Sequence, residues 1–71
     1  MLRGYLIFFT TASAFESEML LKTTKIHFKL VPTPREFSSD CGIAIYFEVE
    51  STAILQEKLD VSKIEYEIKL L

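Results

Sequence analysis

Apolar and polar positions alternate with a period of two at three places in this chain, and at a fourth they merge into a continuous apolar run. Ile26, Phe28 and Leu30 alternate with His27 and Lys29, and Val31 carries that run to Pro32, whose missing N–H cannot extend a ladder. Ile43, Ile45, Phe47 and Val49 alternate with Ala44, Tyr46 and Glu48. Ile64, Tyr66, Ile68 and Leu70 alternate with Glu65, Glu67 and Lys69. Each pattern predicts a strand with one buried and one wetter face, and the charges of the last suit a sheet edge. Tyr5-Leu6-Ile7-Phe8-Phe9 has no such alternation and predicts a first strand with both faces covered or with one face offered to a partner.

Two helices separate these strands. After the first strand, Thr10, Thr11 or Ser13 is placed to cap a helix, with Glu16 and Glu18 near its positive end, and the segment runs to about Lys22 or Thr23. Its expected buried stripe is Ala12, Phe15 and Met19, widened by Leu20 and Leu21. Ser51 or Thr52 caps a second, shorter helix through about Leu59, with Leu55 and Leu59 four apart and Ile54 beside them. The order strand, helix, strand, strand, helix, strand predicts one α+β domain over residues 1–71. Right-handed crossovers give the ferredoxin-like βαββαβ arrangement, an antiparallel four-stranded sheet with two helices on one face. Leu6, Phe8, Ala44 and Tyr46 are the residues expected on the open face, where an apolar patch would mark a partner or a homodimer contact.

Composition narrows the function classes. Seventy-one residues, 49% of them hydrophobic, with two Gly and two Pro, describe a small globular domain and not a disordered chain. The net charge of −2 comes from eight Lys and Arg and ten Asp and Glu spread along the chain, so no basic block marks a nucleic-acid partner. Met1-Leu2-Arg3, a short apolar run and Ala12-Ser13-Ala14 imitate a secretory signal. An apolar run of five is too short for a signal core or a membrane span, and the first-strand reading is preferred. A lone cysteine forms no internal disulfide, which fits a reducing, cytoplasmic setting. One His and one Cys cannot close a zinc site, and no phosphate loop, Ser-His-Asp set or CxxC pair calls for a metal or cofactor.

The chemistry that remains lies in Val31-Pro-Thr-Pro-Arg-Glu-Phe-Ser-Ser-Asp-Cys-Gly42, between the second and third strands. A hairpin needs about two to five residues there, so a segment this long reads as a functional loop. The prolines stiffen its start and limit where Arg35 points. Ser38, Ser39 and Asp40 can fold back on nearby N–H groups, and Gly42 leaves the backbone beside the Cys41 sulfur unshielded. Read as an ordinary residue, Cys41 is a small buried hydrophobe at the start of a strand, and Arg35 is a solvated loop cation.

The run Pro32-Thr-Pro-Arg-Glu-Phe-Ser-Ser-Asp-Cys-Gly-Ile-Ala44, after a short apolar strand and a helix, resembles the family described as putative selenium/sulfur carrier protein-like, found in small bacterial proteins. The resemblance extends from Tyr5 through Tyr66 and is specific in the Pro-Arg-x-x-Ser-Ser-x-Cys-Gly segment. It implies a carrier that holds sulfur or selenium on Cys41 as a persulfide or selenenylsulfide. Arg35, Ser38, Ser39 and Gly42 would then shape the pocket, and a donor and an acceptor protein would be the partners. Such a protein acts stoichiometrically more than as a turnover enzyme. The attacking species is the thiolate, which Arg35 would favour and Asp40 would oppose unless the two pair. The competing reading is a non-catalytic protein- or ligand-binding module that uses the open sheet face and keeps Cys41 as a structural residue.

Overall fold

In the computed structural model, which describes residues 1–37 and 42–71, six elements follow in the expected order. They are β1 (Leu2–Phe8), α1 (Thr11–Leu21), β2 (His27–Pro32), β3 (Ile43–Val49), α2 (Thr52–Val61) and β4 (Tyr66–Leu70). The four strands form one antiparallel sheet in the order β2-β3-β1-β4, the ferredoxin-like α+β arrangement. Among the described residues no helix is long and apolar enough to cross a membrane.

The register sorts the side chains into two faces, because residues opposite one another in an antiparallel sheet point the same way. Leu6 lies opposite Ile45 and Ile68, Gly4 opposite Phe47 and Leu70, and Phe8 opposite Tyr66. Phe28 and Leu30 pair with Phe47 and Ile45 in turn. Leu6, Phe8, Ile45 and Phe47 join Ala14, Leu21, Leu55, Leu59 and Ile64 in the core between sheet and helices, with Phe28, Leu30, Tyr66 and Ile68 packed against it. Leu6 and Phe8, expected on the open face, are therefore core residues. The open face carries Arg3, Tyr5 and Ile7 from β1 instead, beside Ala44, Tyr46 and Glu48. An unbroken apolar run has no phase of its own; the phase of β1 comes from its partners, whose alternation is unambiguous.

Gly4 is buried at the centre of the sheet, and a Cβ there would collide with the Lys69 carbonyl oxygen. The absent side chain lets β4 approach β1 closely. Helix α1 begins at Thr10, whose extended backbone and hydroxyl cap it by accepting the Ser13 N–H at 3.1 Å. Its buried positions are Ala14, Ser17 and Leu21, so Leu21 of the expected stripe is buried and Leu20 packs on the core, while Ala12, Phe15 and Met19 are exposed. Phe15 and Met19 are 45% and 65% exposed. The face that packs on the core carries small residues at 14 and 17. Helix α2 is capped by Ser51, which accepts the Ala53 N–H at 3.2 Å. It ends with Lys63 at φ 57°, while the Lys63 and Ile64 N–H groups bond the Asp60 and Leu59 carbonyls. This left-handed stop turns the chain so that Ile64 enters the core, just ahead of β4.

Two stability predictions follow from polar groups in this frame. The Ser17 hydroxyl is fully buried with no hydrogen-bond partner among the described residues. Such a group costs about 1–3 kcal/mol, and alanine is also the better helix former, so Ser17→Ala should raise stability by about 1 kcal/mol in urea denaturation. The Tyr66 hydroxyl donates to Asp60 at 2.9 Å, and burial first, then that bond and the Asp60 charge, push its pKa from 10.0 up to about 12. The folded chain thus holds this proton after the unfolded chain has released it. Its contribution is complete below pH 10.0 and is lost as pH rises toward about 12. Denaturation midpoints across that range should fall in the wild type, and Tyr66→Phe should remove this part of the slope.

Candidate functional site

The segment between β2 and β3 starts from a closed base. Beyond the pair of Pro32 with Ile43, the Thr33 N–H donates to the Gly42 carbonyl at 3.1 Å, which carries the ladder one step past the strands. The Phe37 N–H donates to the Pro34 carbonyl at 3.0 Å, so Pro34-Arg35-Glu36-Phe37 makes a turn directly above that base. Proline at its first position supplies no N–H and none is needed there. Arg35 and Glu36 are exposed on the turn, and Gly42 is exposed with nothing among the described residues within 4 Å of where a Cβ would stand. Cys41, Ser38, Ser39 and Asp40 lie outside the described residues, so the pairing of Arg35 with Asp40 and the surroundings of the thiol do not enter this geometry.

Phe37 returns the turn to the sheet. Its ring centroid lies 5.7 Å from that of Tyr5 at an interplanar angle of 54°, and Tyr5 meets Tyr46 edge-on at 5.6 Å. Tyr5 and Tyr46 are directly opposed on the open face of the two central strands, so this row of three rings ties the loop to the middle of the molecule. Ile7 and Ala44, also paired across these strands, are 5% and 0% exposed on a face that carries no helix. The open face is thus divided. The end nearest the loop is buried, and the far end is polar.

The polar end holds Arg3, His27, Lys29, Tyr46 and Glu48. His27, Lys29, Tyr46 and Glu48 line a shallow depression with Phe28. The Tyr46 hydroxyl donates to Glu48 Oε2 at 2.8 Å. That bond, then burial, then the Glu48 charge raise the phenol above its ordinary value, and Arg3 pulls weakly the other way. Among the described residues no three His, Cys, Asp or Glu side chains converge to hold a metal ion.

Of the residues singled out in the sequence, Arg35 and Gly42 stand at the two ends of the loop. Tyr46 and Ala44 are on the open face as expected. Phe37 and Tyr5 were not singled out, although Phe37 is the one aromatic residue between Val31 and Gly42. A lone ring in a polar loop is a signal that it packs back on something.

The family model described as putative Se/S carrier protein-like matches residues 3–69 of the chain. No curated protein matches the chain, and no solved structure does.

The Tyr46 arrangement has a direct test. Glu48→Gln removes the charge and the carboxylate acceptor, and the Tyr46 phenol should then titrate at lower pH, nearer its ordinary value. A tyrosine-resolved NMR titration would show it, and an unmoved Tyr46 curve would refute the assignment.

Proposed function

Because the chain belongs to the putative Se/S carrier protein-like family, we propose that it carries sulfur or selenium on Cys41 as a persulfide or its selenium analogue. The family match over residues 3–69 is the observation that carries this reading. The geometry at the loop ends supports it. A hydrogen-bonded base and an aromatic anchor hold both stems of the segment, and Gly42, the residue after Cys41, is exposed and unhindered.

In this reading the Cys41 thiolate attacks the terminal sulfur of a persulfide on a donor protein. The electron pair of Cys41 forms the new S–S bond as the donor's own S–S bond breaks. That second pair leaves on the donor cysteine as a thiolate, which takes up a proton from water. The terminal atom is already at the persulfide oxidation level, so no external oxidant or reductant is consumed. Delivery runs the same exchange in reverse: an acceptor thiolate takes the terminal atom and Cys41 returns to the thiolate. A donor bearing selenium in the terminal position transfers it by the same steps.

A free thiol near pKa 8.5 is only a few per cent ionised at neutral pH, so a cation beside it raises the attacking fraction. Arg35 is our candidate for that role, with Ser38, Ser39 and the N–H of Gly42 as donors to the bound anion. The protein then works stoichiometrically, between a donor and an acceptor protein, in the reducing cytoplasm. The experiment is to incubate it with a persulfide-loaded cysteine desulfurase and record its intact mass. The wild type should gain one sulfur and Cys41→Ser none, while Arg35→Ala should slow the gain several-fold. No gain by the wild type, or an equal gain by Cys41→Ser, would sink the proposal.

A further inference from the structure

We infer that the outer edge of β4 is a self-complementary surface through which two copies of this chain join into one continuous sheet. This inference is independent of the carrier reading and places no loop residue in the proposed contact.

The two edges of the sheet are not alike. On β2, the Thr33 to Gly42 bond fixes which residues turn their backbone groups inward, so Phe28, Leu30 and Pro32 turn theirs outward. Pro32 places its missing N–H on that outer edge, where it blunts further pairing. On β4, the Leu71 N–H donates to the Arg3 carbonyl at 2.9 Å, so Lys69 and Glu67 bond inward to β1. Tyr66, Ile68 and Leu70 therefore present N–H and C=O groups outward, with no proline and no positive φ within the strand.

The side chains of that edge match themselves. Pairing two β4 strands antiparallel about Ile68 sets Ile68 against Ile68 and Tyr66 against Leu70, and brings every outward backbone group into the ladder. The same register puts Glu67 of one copy opposite Lys69 of the other, twice, on the open face. Glu67 and Lys69 already lie 3.1 Å apart within one strand, so the four charges alternate in sign. A slip by two residues sets Glu67 against Glu67 or Lys69 against Lys69, and a slip by one mismatches both the faces and the hydrogen bonds. On the helix face the same pairing covers Leu70, which is 52% exposed. An isologous contact of this kind needs only one sequence to be its own complement, and this one is.

Two five-residue strands bury less than the about 1,600 Å² of a standard interface, so the dimer should be in concentration-dependent exchange. Sedimentation velocity on the wild type should show a monomer–dimer equilibrium, and the Ile68 and Leu70 amides should exchange more slowly as concentration rises. Glu67→Lys and Lys69→Glu each create two like-charge contacts and should raise the dissociation constant by about tenfold or more. Mixing the two variants should restore association as a heterodimer, while circular dichroism confirms that each remains folded. A wild type that stays monomeric at millimolar concentration would overturn the inference. So would single variants that associate like the wild type, or a mixture that associates no better than its parts.

Discussion

Strand β1 is hydrogen-bonded along both edges and covered over much of both faces, and the remaining elements take their places from it. It pairs with β3 through six positions and with β4 through five, so its side chains must serve the helix-side core and the open face at once. Leu6 and Phe8 do the first, Tyr5 and Ile7 the second. Gly4 meets the demand differently, by having no side chain where the β4 backbone comes nearest. A chain this small buries only about 60% of its unfolded surface, and a central strand that is apolar on both sides is an efficient use of seven residues.

The strands were legible wherever the pattern alternated. The phases of β2, β3 and β4 read from the sequence are those of the structure, and the caps at Thr10 and Ser51 stand where hydroxyls precede apolar periodicity. Two features were not legible, for related reasons. The unbroken run in β1 says that both faces are used but not which residue takes which. In α1, Leu20 and Leu21 of the expected stripe do pack on the core, but hydrophobicity set Ala12, Phe15 and Met19 beside them where Ala14 and Ser17 are buried instead. Which face packs is settled by the assembled layers, which the helix alone does not encode.

The candidate site divides along similar lines. Length, prolines and the cysteine marked the loop, and the hydrogen-bonded base and turn are consistent with the stiffness that Pro32 and Pro34 suggested. Its anchor was not evident, because an aromatic residue in a loop has no periodic context and its contact, Tyr5, lies some thirty residues earlier. Tyr46 lies on the open face as expected and there bridges two environments, one side against Tyr5 and its hydroxyl toward Glu48.

The Thr33 to Gly42 bond closes the loop at its neck, one step beyond the strands. Lengthening a loop that is already closed adds little entropy, since the cost grows only as the logarithm of its length. Residues inserted or exchanged beyond the neck therefore leave the pairing of Pro32 with Ile43, and every register behind it, where they were. Selection can rewrite the segment beyond the neck while the sheet beneath keeps its sequence, so that loop and fold evolve on separate accounts of one short chain.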